Sequence, residues 1–481
     1  MNITQLPQTS FIDPKGKNRE ETTRLAQAVF DLVLSHIQSA YERPPLPDIT
    51  SEFSFGELPF DPVPENEWLN NLRQLLEGSM NARTPRFIAH MNSIPTTASI
   101  LADFAASAVD NNMLSLEMSP SFSRLEHRLL KKMAKLFGLG TAGGGVLVGG
   151  GSLANLQALA VARNAIFKTV EHGLTPSSNQ PVIFASGVSH TSIQKAAMLL
   201  GFGTTAVRHV TVNENSQMNI GDLKKQIELS RNEGKTPFCI VATAGTTVTG
   251  NIDPLVEIYR IAKENELWFH VDAAYGGALI FSDNHKQRLK GIELADSITF
   301  NPHKWLYVAR TCSMVLFRDL RILETAFRIP APYTSMKSDF TNIGEISVHG
   351  TNHADVLKLW FSLQHIGIRG CAHLIDECYR MTHIFLQHIK RRPYLELASE
   401  PEMNLICFRV ITKTISLEKL DDLNSKIQRH LLSKHKIFLA LIPYKGARWL
   451  RADILNPYID ESLIDLIFMG IDEYHQYNVL D

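Results

Sequence analysis

Between about 140 and 317, short runs of β-branched or aromatic residues alternate with stretches of helical period. The runs are Val146-Leu147-Val148, Val182-Ile183-Phe184, Cys239-Ile240-Val241-Ala242, Leu267-Trp268-Phe269-His270-Val271 and Ser297-Ile298-Thr299-Phe300, and each reads as a strand. Strands separated by helices predict an α/β unit with a mainly parallel sheet covered on both faces. Ligands of such sheets lie beyond the carboxyl ends of the strands. The polar residues considered below follow those ends.

The flanking regions read differently. Residues 1–90 are helical with Pro-rich breaks: Thr22 to Tyr41 has helical spacing, and Arg43-Pro44-Pro45-Leu46-Pro47 ends it. This segment carries no obvious chemistry, and its expected role is to pack on something else, such as a second subunit. After residue 366 a helix over Cys371 to Lys390 precedes extended runs at Asn404 to Val410 and Ile437 to Leu441, then a helix near Glu461 to Tyr474. The expected organisation is therefore a helical segment over 1–90, a large domain over 91–365 and a small α+β domain over 366–481.

Composition narrows the function. The 481 residues carry 20% charged side chains and a net charge of -1, so no basic surface suited to nucleic acid or an acidic membrane is expected. No stretch approaches the roughly 20 apolar residues that span a bilayer, and Met1-Asn2-Ile3-Thr4-Gln5 has neither a basic nor an apolar run. A cytoplasmic location is expected. The five cysteines are odd in number and scattered, which predicts reduced thiols and no metal centre.

The chemistry concentrates late in the parallel region. Lys304, in Asn301-Pro302-His303-Lys304-Trp305, follows Asp272, in His270-Val271-Asp272-Ala273-Ala274, by 32 residues. An imine-forming lysine and a carboxylate at a strand end are the pair that pyridoxal phosphate (PLP) requires. Lys304 would hold the cofactor aldehyde; Asp272 would keep the ring nitrogen protonated. Upstream, the first strand runs into Gly149-Gly150-Gly151-Ser152, where glycines and a helix start suit a phosphate. The same stretch fits a dinucleotide fingerprint through Gly149, Gly151 and Ala154, but the next strand ends Phe184-Ala185-Ser186 without the required acid. His190 can stack on a pyridine ring, and Ala274 is small enough to pack on the opposite face. The turn Thr243 to Gly250 offers hydroxyls to the cofactor.

Taken in this order, Gly149 to Ser152, His190, Asp272-Ala273-Ala274 and Asn301 to Trp305 resemble the group II PLP-dependent amino acid decarboxylases. Thr84-Pro85-Arg86-Phe87, Leu357-Lys358-Leu359-Trp360 and Trp449 to Pro457 extend the likeness over about residues 80 to 465. The resemblance implies a type I aminotransferase-like fold and a homodimer with shared active sites, embraced by the N-terminal helices. It implies Gly150, Gly151 and Ser152 as phosphate ligands, with Thr247, Asn301 and His303 also around the cofactor. His190 matches the stacking histidine and Lys304 the Schiff-base lysine. Arg451 matches an arginine that contacts the substrate carboxylate, a task its fork suits, and His90, Asn92 and Ser93 lie where the substrate pocket is lined. The implied reaction is decarboxylation of an L-amino acid to an amine, a basic or acidic aliphatic one more than an aromatic one.

One departure matters. Many animal and plant relatives carry a loop tyrosine about 19 residues before the equivalent of Trp360, where this chain has Thr341. Proton return would then fall to another donor, such as His190, His349, His353, Tyr333 or water. Alternatively the reaction would turn toward aldehyde formation; another lyase or an aminotransferase on the same fold is the further alternative.

Overall fold

The computed structural model describes residues 6–48, 57–175, 179–332, 340–412 and 416–479; Met1 to Gln5 and Tyr333 lie outside them. Packing divides the chain into two compact units. One comprises Met1–Ala89, Lys426–Leu439 and Tyr458–Asp481, the other His90–Ser425 and Ala440–Pro457.

The larger unit is built on a seven-stranded sheet in the order β1-β7-β6-β5-β4-β2-β3. Its strands are β1 (Gly144–Val148), β2 (Pro181–Ser186), β3 (Val207–Val210), β4 (Thr236–Thr243), β5 (Trp268–Asp272), β6 (Ser297–Phe300) and β7 (Ser313–Phe317). β2 to β6 pair in parallel, whereas β7 runs antiparallel to both β1 and β6. The sheet is thus the mainly parallel one expected, and all five strands read from the sequence are present. Two more were not read. In β3, Arg208 and His209 interrupt the apolar pattern of a short edge strand, and the fully buried β7 returns beside β6 after a loop without a crossover helix.

A second sheet in the order β10-β11-β9-β8 is wholly antiparallel. It comprises β8 (Leu395–Leu397), β9 (Leu405–Val410), β10 (Ala440–Tyr444) and β11 (Ala447–Asp453). Lys445 and Gly446, with φ of 48° and 72°, form the left-handed two-residue turn that matches strand twist in a β10-β11 hairpin. The extended run read at Ile437 to Leu441 is displaced toward the C-terminus: Lys436 takes a φ of 57°, Phe438 makes an isolated bridge to Phe87, and the strand begins at Ala440. The helix read from Cys371 is the second half of Val356–Lys390, broken at Gly367 by a φ of 67°.

In the smaller unit, α1 (Arg19–Gln38) and α2 (Glu65–Glu77) are held together by a two-pronged Arg24–Glu65 pair at 2.5 and 2.8 Å. Neither helix buries a single residue. Phe30, Leu34, Trp68 and Leu75 are all exposed, so the pair presents apolar surface that its own unit does not cover. Among the described residues no helix is long and apolar enough to cross a membrane.

Candidate active site

In the larger unit, parallel strands deliver their last residues to one rim of the sheet. β1 leads through Gly149 and Gly150 into α3 (Gly151–Phe167), β4 ends at Thr243, β5 at Asp272, and Asn301 follows β6. Two glycines are needed here. Gly150 has φ 151° and ψ 158°, outside the range of L side chains, and a Cβ on Gly151 would stand 2.7 Å from Asn301 Nδ2. Bare backbone therefore lets the Asn301 side chain cross the helix start.

These ends enclose a cavity of about 200 Å³ lined by Gly151, Ser152, Asn155, His190, Thr243, Gly245, Thr247, Asp272, Ala274, Asn301 and Lys304. Eight of these positions were singled out from the sequence. Asn155 was not among them, and Thr243 and Gly245 were read only as part of the Thr243 to Gly250 turn. Asn155 was legible in principle, as a polar residue in the apolar Ala/Leu run that follows Ser152.

Lys304 Nζ makes no hydrogen bond or ion pair with any described residue. Burial pulls its ammonium below the usual lysine range, and the Asp272 and Asp453 carboxylates oppose that pull. A free amine is the nucleophilic form. Asp272 accepts the Ala274 N–H on Oδ1 at 3.1 Å and Asn155 Nδ2 on Oδ2 at 2.9 Å. His190 turns Nδ1 toward Ser192, 2.8 Å from its Oγ and accepting its N–H at 3.1 Å. Burial lowers the His190 pKa; Asp272 opposes that shift and Lys304 adds to it.

The cavity also holds polar atoms that lack partners. Thr243 Oγ1 and Asn301 Oδ1 are buried without a hydrogen-bond partner among the described residues, so each has a bond to give to water or to a ligand. Together with the bare helix start, the lysine and the carboxylate, they fit a phosphorylated pyridine aldehyde.

The other expected residues lie outside this lining. Gly150 precedes it directly. His303 sets Nδ1 2.6 Å from the Cys312 carbonyl, and burial pushes its pKa down to about 4. Ser93 Oγ donates to the His303 carbonyl at 3.1 Å. Arg451 is buried on β11; Nη1 donates to the Thr247 carbonyl at 2.5 Å and Nη2 lies 3.3 Å from His90 Nδ1. Asn92 Oδ1 accepts from Arg310.

The structure also sorts the candidate proton donors. Thr341 Oγ1 donates to Glu324 at 2.8 Å, and the two residues line a different cleft, with Glu126 and His127. His353 is engaged by Asp355 at 2.8 Å, which raises its pKa. His349 stands against Gly149, within 3.3 Å of where a Cβ there would be.

Residues 54–411 match the pyridoxal-dependent decarboxylase conserved domain. Human acidic amino acid decarboxylase GADL1 is 30% identical over 423 residues, spanning 85% of this chain and 81% of that protein. The crystal structure of mouse CSAD in apo form superposes with a TM-score of 0.86 at 28% identity, covering 94% of this chain and 98% of the other. The glutamate decarboxylase domain of diaminobutyrate-pyruvate transaminase and L-2,4-diaminobutyrate decarboxylase from Vibrio parahaemolyticus gives 0.84 at 26% identity, covering 97% and 98%.

Proposed function

Since the chain belongs to the pyridoxal-dependent decarboxylase family, and is a PLP-dependent amino acid decarboxylase of type I PLP fold, we propose that Lys304, Asp272 and His190 carry its chemistry on a charged aliphatic amino acid. The observation that carries this assignment is the unpaired Lys304 amine in one cavity with the doubly hydrogen-bonded Asp272 carboxylate.

Bound PLP supplies the electron sink for the pair left when carbon dioxide departs. Lys304 Nζ would hold the cofactor aldehyde and, when not so engaged, would carry a proton at a pKa that burial lowers and the Asp272 and Asp453 carboxylates raise. Asp272 would keep the proton on the ring nitrogen of the cofactor, and His190 and Ala274 would hold the ring between them. Gly150, Gly151 and Ser152 receive the phosphate at the α3 start, where free N–H groups and the helix dipole favour an anion; Thr247, Asn301 and His303 complete the surround. Arg451 with His90, and Asn92 beside it, receive the substrate's carboxylate end.

The preference for a charged aliphatic substrate is supported by the relatives above 25% identity, one named for acidic amino acids and one for L-2,4-diaminobutyrate. The reading also includes a homodimer, supported by the uncovered apolar surface of α1 and α2. Within it, 1–90 is the partner-embracing segment, 91–365 the cofactor domain and 366–481 the small domain. A cytoplasmic location is supported by five unpaired cysteines.

Lys304→Ala should abolish carbon dioxide release and the visible absorbance of the bound cofactor. Full activity in that variant would exclude the lysine assignment. A screen of the proteinogenic amino acids, 2,4-diaminobutyrate and cysteine sulfinate should give amine from a charged aliphatic substrate. Turnover confined to aromatic amino acids, or aldehyde with ammonia as the main product, would defeat the reading.

A further inference from the structure

We propose that Asn155 is a positioning residue that holds Asp272 as an acceptor-only carboxylate, at the end of a one-way chain of hydrogen bonds that begins at Trp268. The sheet sets up this chain. Trp268, His270 and Asp272 alternate onto one face of β5, Ser297 of β6 is in register with His270, and Asn155 of α3 reaches both His270 and Asp272.

Its direction follows from the carboxylate end, because Ser297 Oγ can accept from Trp268 and still either donate to His270 Nδ1 or accept from it. Trp268 Nε1 can only donate, and does so to Ser297 Oγ at 2.9 Å. Ser297 Oγ lies 2.8 Å from His270 Nδ1, His270 Nε2 lies 3.0 Å from Asn155 Oδ1, and Asn155 Nδ2 donates to Asp272 Oδ2 at 2.9 Å. An ionised carboxylate can only accept, so the amide must present nitrogen to Asp272 and oxygen to His270. That oxygen needs an N–H from His270 Nε2. Burial drives the His270 pKa down, against the opposing pull of the Asp272 carboxylate and the Ser297 backbone; a neutral ring has one N–H, and with that proton on Nε2, Nδ1 is left to accept from Ser297 Oγ.

The reverse arrangement puts the ring proton on Nδ1, toward Ser297, and leaves Nε2 bare. The amide would then have to turn over and set its oxygen against Asp272, which is tolerable only with a protonated carboxyl. Asn155, His270 and Ser297 are all at most 1% exposed, so water cannot repair a misdirected bond.

The amide has a second N–H, which donates to Ser192 Oγ at 2.9 Å. Ser192 Oγ and its backbone N–H both address His190 Nδ1. The proton of neutral His190 therefore sits on Nε2. One amide thus ties the charge of the carboxylate to the orientation of the cavity histidine, a coupling that deepens the proposed site and rests on it for its meaning in catalysis.

Two measurements on the full chain test it. ¹⁵N NMR of the histidine-labelled, cofactor-free protein, with His270 and His190 identified by their substitution, should find the proton on Nε2 in both; Nδ1–H in either would overturn the chain. The second measurement is PLP affinity, by absorbance. His270→Gln keeps an N–H where Nε2 stood and should bind PLP within about twofold of the wild type, whereas His270→Asn reaches Ser297 but not Asn155. His270→Asn and Asn155→Leu should each lose affinity on the order of tenfold to a hundredfold. Equal binding by the Gln and Asn variants would overturn the proposal even if Asn155→Leu fails to fold. A wild-type chain that took up no PLP would instead sink the site assignment, and the NMR result would still decide the hydrogen-bond direction.

Discussion

Asp453→Asn should change how the protein's stability depends on pH. Asp453 is 2% exposed; Oδ1 accepts from Tyr275 at 3.0 Å and Asn404 at 3.4 Å, while Oδ2 has no partner among the described residues. Burial raises its pKa from 3.8 to about 6, against the opposing pull of Arg451, Tyr275 and Lys304. The unfolded chain therefore loses this proton near pH 4 and the folded chain only near pH 6. Within that window the folded state binds more protons, so this group's contribution to stability falls as pH rises. Two pKa units correspond to a penalty of about 3 kcal/mol, fully developed above pH 6. Asparagine has the same shape and does not titrate. It would leave an amide N–H without a partner, but that cost is constant with pH. Urea unfolding of cofactor-free wild type and Asp453→Asn should therefore show the variant gaining about 2 to 3 kcal/mol on the wild type between pH 4 and 7. Stability curves that stay parallel across this range would refute the reasoning. Asp453 also supports the Lys304 ammonium, so the variant's lysine should deprotonate at lower pH.

Three further outcomes follow from packing and charge. A Cβ on Gly145 would stand 2.0 Å from the Val315 carbonyl of β7, so Gly145→Ala should cost about 3 kcal/mol or more, read as a fall in melting temperature. Burial pushes the Glu126 carboxyl up to about 8, while Oε1 accepts the Leu147 N–H at 3.0 Å; at pH 7 Glu126→Gln should change stability by less than about 1 kcal/mol, and Glu126→Ala should cost about 1 to 3 kcal/mol more because that N–H is orphaned. Arg451→Lys removes the fork shared by the Thr247 carbonyl and His90, and should raise KM about tenfold with a smaller change in kcat.

The parallel core was legible because buried strands and amphipathic helices differ in period, and the site because imine, ring-nitrogen and phosphate chemistry each demand particular residue types at strand ends. Lys304, Asp272, Gly151 and Ser152 were found that way. The strands β3 and β7 were not, since a short polar edge strand and an antiparallel return leave little local pattern. Neither were the roles of Asn155 and Asp453. Each is a polar residue among mainly apolar neighbours in the sequence, and its meaning depends on partners far away along the chain.

The order of residues alone decided which groups would stand at the ends of which strands, because local period and turn chemistry act over a few positions. Tertiary packing decided what those groups are. It drew Lys304 largely out of water and left Thr243 Oγ1 and Asn301 Oδ1 without hydrogen-bond partners among the described residues; it also committed the Arg451 guanidinium to Thr247 and His90. Charge state and hydrogen-bond direction depend on burial and on neighbours brought together from distant segments.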